Sequence, residues 1–142
     1  MHDDQHGTAI VVLAGLINAL RITGKSKDAI RVVINGAGAA GTATALLLNA
    51  FGIGNIIVCD RKGALASART DLNTSKKALL QKTNPENVSG DLKTVIKGAD
   101  VFIGVSGPNL VSTAMVQSMA PRPSVFALAN PDPEIRPEAA FP

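Results

Sequence analysis

Short apolar runs alternate with longer mixed segments along the whole of this sequence. Four of these runs are rich in Val, Ile, Leu and Phe and are only a few residues long. Runs of this kind are typical of strands that are buried on both faces of a sheet. We therefore predict strands at Arg31–Asn35, Asn55–Asp60, Ala99–Ser106 and Ser124–Ala129. A further short strand is predicted around Val88.

The segments between these runs have the spacing and end signals of helices. Gly24 is expected to end the first helix, and residues 61–70 and 130–137 are interpreted as loops. The predicted helices are Gly7–Thr23, Thr42–Phe51, Asp71–Lys82, Asp91–Lys97 and Ser112–Met119. Strands that alternate with helices predict an α/β fold, a Rossmann-like doubly wound parallel sheet in a three-layer α/β/α arrangement. The 142 residues are enough for one domain with a core of its own.

The composition excludes several classes of function. The chain is 46% hydrophobic and 18% charged, with a net charge of +3, four Phe and neither Tyr nor Trp. With so few aromatic side chains there is no platform on which bases could stack, so nucleic-acid binding is not expected. The apolar segment Ala9–Leu20 is too short to cross a bilayer, so we expect no membrane partner. The single cysteine, Cys59, excludes an internal disulfide and is typical of the cytoplasm.

A glycine-rich loop follows the first predicted strand and opens a helix. Gly36, Gly38 and Gly41 form the pattern G-x-G-x-x-G. The first glycine permits a tight turn, the second lets the backbone approach a pyrophosphate, and the third lets helix and strand pack closely. The helix N-terminus then offers N–H groups to the phosphates. The intervening residues are small and uncharged: Ala37, Ala39 and Ala40. This context predicts dinucleotide binding by residues 36–41.

The end of the second predicted strand bears on which dinucleotide is bound. Asp60 lies at about the interval expected for a carboxylate that holds the adenosine ribose hydroxyls. Its charge would repel a 2′-phosphate and so favours NAD slightly. Arg61 and Lys62 follow directly and could instead pair with the 2′-phosphate of NADP, or they could be solvated loop residues.

The first residues, "HDDQHGT", carry two carboxylates and two histidines. Acidic side chains near a helix N-terminus complement the helix dipole, which would explain one of Asp3 and Asp4. The spacing of His2 and His6 matches no common zinc pattern. Carboxylates prefer Mg²⁺ or Mn²⁺.

Several segments together resemble the cofactor domain of bacterial malic enzymes. They are "DDQHGTAIVVLAGLINAL", "RVVINGAGAAGTA", "NIIVCDRKG", "DVFIGVS" and "VFALANPDPEI", in the family's order and spacing, from Asp3 to about Pro137. The resemblance implies the oxidative decarboxylation of L-malate to pyruvate and CO₂, with reduction of NAD or NADP and a divalent metal, Mg²⁺ or Mn²⁺.

The resemblance also implies roles for individual residues. Asp4 would be a metal ligand, and Asp3 would lie beside the metal as a proton-handling group. Asn130 would reach both the substrate and the nicotinamide. Ser106, at the carboxyl end of a strand, would border the cofactor cleft.

Parts of the family's machinery have no counterpart in this sequence. In malic enzymes the general acid is a tyrosine and the base is a lysine, both on a preceding N-terminal malic domain. This chain contains no Tyr, and none of its lysines lies in a comparable segment. We therefore expect a piece of a longer protein, cut by design or otherwise, with residues 1–24 as a lead-in metal-site loop and helix.

Such a piece is expected to be inactive alone, to need the N-terminal malic domain as its partner, and to self-associate as a homo-oligomer. Two alternatives stay open at this point. One is a stand-alone NAD(P)-binding or sensing module. The other is the cofactor domain of another two-domain dehydrogenase, of the amino-acid or shikimate type.

Overall fold

A five-stranded sheet with β1 at its centre organises the molecule. The computed structural model describes residues 3–105 and 111–128, with side chains from Gly7 onward. The strands are β1 (Val32–Asn35), β2 (Ile56–Asp60), β3 (Gly63–Ala64), β4 (Val101–Gly104) and β5 (Ser124–Ala127), in the spatial order β3-β2-β1-β4-β5. Asn35 is paired with Cys59 on one side and with Gly104 on the other, both in parallel register. The carboxyl ends of β1, β2 and β4 therefore meet at one edge.

Five helices cover the two faces of this sheet. They are α1 (Asp3–Thr23), α2 (Ala39–Phe51), α3 (Thr74–Leu80), α4 (Leu92–Val95) and α5 (Thr113–Gln117). On one face, side chains from α1, α2 and α3 pack against alternate residues of β1, β2 and β4. On the other face, α4 and α5 pack against the remaining residues of the same strands. The predicted three-layer α/β/α fold is confirmed.

The first helix lies closely against the sheet. An added Cβ on Gly15 would meet the ring of Phe126 in β5 at 2.7 Å, so only a residue without a side chain lets α1 approach that strand. Ala9, Val12 and Leu16 are buried along the same face. Within the described residues, no helix is long and apolar enough to cross a membrane.

The sheet is not wholly parallel as predicted, because a short antiparallel edge strand, β3, follows β2 inside the segment that was interpreted as a loop. The predicted strand at Val88 is wrong. Asn84, with φ of 52°, accepts from the Val88 N–H at 2.8 Å and donates to the Val88 carbonyl at 2.8 Å. The backbone of Val88 is thus hydrogen-bonded to the Asn84 side chain, and Val88 lies in a tight turn.

Several helix boundaries also differ from the predictions, and α2 begins at Ala39 and not at Thr42. The helix predicted over 71–82 is confined to α3, because the Asn73 side chain accepts from the Lys76 N–H at 2.9 Å and caps the helix there. The first helix begins at Asp3 and not at Gly7. The backbone of Asp3 and Asp4 therefore belongs to a helix, which corrects the predicted lead-in loop.

Candidate functional site

The carboxyl ends of the central strands open onto a cavity of about 690 Å³. Backbone from the glycine-rich loop forms one wall, and charged side chains from the segments after β2 form the other. The lining residues are Gly36, Ala37, Gly38, Asp60, Arg61, Lys62, Asp71, Asn73, Lys76 and Val105. The cavity thus lies where open α/β sheets bind their ligands.

Two glycines of the loop are required by the fold itself. Gly36 has φ of 130°, a conformation that L side chains rarely adopt, and a Cβ there would lie 2.9 Å from Cγ2 of Val105. A Cβ on Gly41 would lie 1.7 Å from the carbonyl oxygen of Gly36. The backbone of the turn at Gly36 therefore packs directly against the backbone of the first turn of α2, as the sequence pattern predicts.

Gly38 is different, because a Cβ there would meet no protein atom within 4 Å. Its φ of −78° is also accessible to any residue. Folding alone therefore does not demand a glycine at this position. A pyrophosphate would approach the backbone of Gly38 closely through this open space.

The helix that follows has no side-chain cap. Gly38 is the N-cap of α2 and has no side chain that could accept from the first-turn N–H groups, whereas the side chains of Asn73, Asp91 and Ser112 cap α3, α4 and α5. No acidic residue lies in the first turn of α2. The positive end of this helix dipole is thus left for a ligand at the cavity.

Asp60 lies at the cavity, as predicted, and accepts four hydrogen bonds. Oδ1 accepts from the backbone N–H of Lys62 at 2.9 Å and from Nη1 of Arg69 at 2.7 Å. Oδ2 accepts from Nη2 of Arg69 at 2.9 Å and from Nζ of Lys76 at 2.8 Å. Burial by itself would raise the pKa of Asp60, but these donors outweigh it and hold that pKa well below its usual range.

Arg69 links two carboxylates across the loop after β2. It also donates to Asp71, from Nε to Oδ1 at 3.0 Å and from Nη2 to Oδ2 at 2.7 Å. The hydrogen bonds that Arg69 donates to Asp71 and Asp60 raise the pKa of Arg69, which stays charged. Sequence reasoning missed Arg69 and Lys76. The sequence shows basic residues on both sides of Asp71, which does not reveal which of them pairs with Asp60.

A second cavity of about 330 Å³ adjoins the first on the α4–α5 side of the sheet. It is lined by Asn35, Asp60, Arg61, Asp91, Leu92, Lys93 and Met115. Asn35 is buried, and its Nδ2 has no hydrogen-bond partner among the described residues. Sequence reasoning placed Asn35 at the end of the first strand but gave its side chain no role at the site.

Cys59 lies next to Asp60 and is fully buried. Burial, together with the neighbouring Asp60 charge, raises the pKa of its thiol to about 12. The thiol is therefore protonated at neutral pH and is no nucleophile for this site.

Some of the remaining predicted site residues lie at the cavities or in α2, and others lie where the structure describes no side chains or no residue at all. Ala39 and Ala40 form the first turn of α2, and Arg61 lines both cavities. Asp3 and Asp4 lie in the first turn of α1, where side chains are not described. Ser106 and Asn130 lie outside the described residues. Among the described residues, no group of three or more His, Cys, Asp or Glu could hold a metal ion.

Comparison with known proteins identifies the family of this chain. Residues 5–141 match the model of the malic enzyme NAD-binding domain. The chain belongs to the malic enzyme family. This membership decides against the amino-acid and shikimate dehydrogenases as alternatives.

The relatives include enzymes that use either cofactor. The chain is 53% identical to the NAD-dependent malic enzyme of Geobacillus stearothermophilus, over 99% of this chain and 30% of the relative. It is 49% identical to the NADP-dependent malic enzyme of Halomonas elongata, over 98% of this chain and 32% of the relative. The chain thus spans about a third of the length of these malic enzymes.

Solved structures show the same relationship. The NAD-dependent malic enzyme of Thermotoga maritima superposes with a TM-score of 0.94 at 46% identity, over 99% of this chain and 38% of that one. Glutamate dehydrogenase of Thermus thermophilus shares the fold at a TM-score of 0.63, with 19% identity over 99% of this chain and 33% of that one. The chain is therefore an NAD-binding domain of the malic enzyme type, with a Rossmann-like fold.

Proposed function

We propose that this chain holds the nicotinamide dinucleotide of an enzyme that oxidatively decarboxylates L-malate to pyruvate and CO₂. The observation that carries the proposal is the backbone cradle at Gly36–Gly41. It combines a tight turn, an open approach at Gly38 and a helix N-terminus without a cap. The pyrophosphate would lie over this loop, and the adenosine ribose would lie toward Asp60.

The second cavity is the best position for the adenine ring. Leu92 and Met115 offer apolar contact, and the unpartnered Nδ2 of Asn35 offers a donor. A buried donor without a partner costs free energy, so a ligand that supplies an acceptor would recover part of it.

The nicotinamide and malate would lie at the other end of the cleft, near Ser106 and Asn130. Asp4 would be one carboxylate ligand of a Mg²⁺ or Mn²⁺ ion, with Asp3 beside it to handle a proton. The metal would polarise the malate oxygen and stabilise the enolate. Hard cations need several oxygen ligands. The other ligands, the general acid and the base would come from the N-terminal malic domain, and the whole protein would work in the cytoplasm as a homo-oligomer.

The test is calorimetric titration of the 142-residue chain with NAD and with NADP. The chain should bind at least one of them, and by itself it should not convert malate to pyruvate. Gly38→Val should abolish binding, because the added side chain fills the open approach, where a Cβ meets nothing within 4 Å among the described residues. Gly54→Val is the matched control, since a Cβ at Gly54 also meets nothing within 4 Å and lies outside the cavity. Normal binding by the Gly38→Val variant would contradict the proposal.

A further inference from the structure

The second cavity contains a buried amide that the fold leaves unsatisfied. Asn35 ends β1 and is only 5% exposed, and its Nδ2 has no hydrogen-bond partner among the described residues. A buried donor without a partner costs free energy. The other three residues of β1 are Val, Val and Ile, so an apolar side chain at this position would serve the fold better. The amide therefore points to a ligand that supplies an acceptor.

A carboxylate lies at the same cavity. Asp91 is the N-cap of α4, and its Oδ1 accepts from the Thr94 N–H at 2.9 Å. Hydrogen bonds from Thr94 hold the pKa of Asp91 below its usual value, so this side chain is ionised at neutral pH and can only accept. A carboxylate has about four lone-pair positions, which leaves room for a donor from a ligand. The cavity thus combines a donor at the end of β1 with an acceptor at the start of α4.

The rest of the cavity suits a flat ring. Leu92 and Met115 line it and are half-buried. Its volume of about 330 Å³ lies within the range of small-molecule sites. Asp60 and Arg61 line both cavities, so a ring bound here would be continuous with the ribose end of the first cavity.

We propose that Asn35 and Asp91 read the base of the dinucleotide and select a 6-aminopurine over a 6-oxopurine. Nδ2 of Asn35 donates to N1 of adenine, and Asp91 accepts from the 6-amino group. A turn of the Asn35 amide about its Cβ–Cγ bond directs Nδ2 at the ring, and no hydrogen bond from Nδ2 to the described residues opposes that turn. The inference rests on the proposed function and adds which base the site accepts.

Hypoxanthine reverses both hydrogen-bonding groups on this edge of the ring. Its N1 carries a proton, and its 6-oxygen is an acceptor. The Asn35 amide can present its own oxygen to that proton, whereas the Asp91 carboxylate has no donor to offer the 6-oxygen. Asp91 therefore supplies most of the discrimination, because a polar group left unpaired on binding lowers the affinity.

The experiment is calorimetric titration of the 142-residue chain with NAD and NADP, each beside its hypoxanthine counterpart, and with the fragments 5′-AMP and 5′-IMP. The unmodified chain should bind the adenine form of each pair tighter by roughly tenfold or more, the effect of one lost hydrogen bond to a charged group.

Two variants assign this preference to the two side chains. Asp91→Asn should remove most of it, because an amide can accept from an amino group or donate to a 6-oxygen. Asparagine is also a good N-cap residue, so α4 should keep its start. Asn35→Leu should weaken binding of the adenine forms by roughly threefold or more, yet leave the chain at least as stable, since it removes an unpaired buried donor. Asp28→Asn, at an exposed carboxylate outside both cavities, is the control and should bind as the unmodified chain does.

Thermal melting of each variant separates lost binding from lost folding. Equal affinity of the unmodified chain for adenine and hypoxanthine forms, or an Asp91→Asn variant that keeps the full preference, would overturn the reading of the base and leave the dinucleotide site standing. An Asn35→Leu variant that loses stability, or that binds the adenine forms as tightly as before, would show that Asn35 serves the fold and not the ligand. A folded chain that binds neither dinucleotide would instead overturn the proposed function.

Discussion

Folding favours the ionised form of the Asp60 carboxyl group. Its pKa is well below the usual range in the folded chain, and it rises to about 3.9 on unfolding. The unfolded chain therefore binds more protons, so the contribution of Asp60 to stability is present above about pH 4 and is lost as the pH falls through the folded pKa. With 12% of the side chain exposed, the network contributes roughly 1–3 kcal/mol at neutral pH.

Asp60→Asn should therefore remove part of the acid sensitivity of this protein. Urea unfolding at a series of pH values should show the unmodified chain losing more stability between about pH 4 and pH 2 than the variant does. Asp28→Asn, a change at an exposed carboxylate far from the cluster, is the control and should follow the unmodified chain. Equal acid dependence in all three proteins would show that Asp60 does not contribute in this way.

The sequence predicted where Asp60 lies but not what it contacts. A carboxylate at the end of the second strand follows from the order of strand, glycine loop, helix and strand. Its partners Arg69 and Lys76 come from a loop and from the next helix, and their distances to Asp60 depend on how those segments pack. Asn35 is a similar case, because only the sheet shows that its amide is buried and that Nδ2 has no partner among the described residues.

The junction of β1 and α2 depends on backbone contact at Gly41. A Cβ there would overlap the Gly36 carbonyl at 1.7 Å, and a backbone atom cannot move aside as a flexible side chain can. Gly41→Ala should therefore cost about 2–4 kcal/mol or more of unfolding free energy, as other overpacked or strained sites do. Gly38→Ala, where a Cβ meets nothing within 4 Å among the described residues, should cost about 1 kcal/mol or less, since Ala is a poorer N-cap residue than Gly.

Chemical denaturation of both variants checks this contrast. A Gly41→Ala protein as stable as Gly38→Ala would mean that the turn can open without loss. It would also remove the structural reason for the third glycine of the motif.

The strands that are buried on both faces were predicted well, and the edge strand β3 was not. The apolar runs of β1, β2 and β4 stand out because both faces of those strands are buried. The edge strand β3 has no such signal. It depends on Gly63, with φ of 115°, whose position leaves no space for a Cβ beside the Gly90 carbonyl at 2.2 Å. Ala64 then donates to that same carbonyl at 2.9 Å, a contact 26 residues away in sequence that no local pattern reveals.

The outer face of α1 exposes large apolar side chains in the described part of the chain. Ile10, Val11 and Ile22 are 61%, 66% and 76% exposed, although their helix neighbours Val12 and Leu16 are fully buried. Large apolar side chains exposed together on one helix favour contact with another surface. The malic enzymes that resemble this chain are about three times its length.

Self-association through α1 is the expected behaviour of the 142-residue chain. Sedimentation velocity over a range of concentrations should show oligomers, because burying the three side chains contributes about 1.5–3 kcal/mol each when complete. Replacing Ile10, Val11 and Ile22 together by Gln should shift the chain to monomer without unfolding it, since none of the three is in the core. Asn18→Gln, at an exposed position of the same helix, should leave association unchanged. A chain that is monomeric at every concentration would show that this face does not bind a second copy.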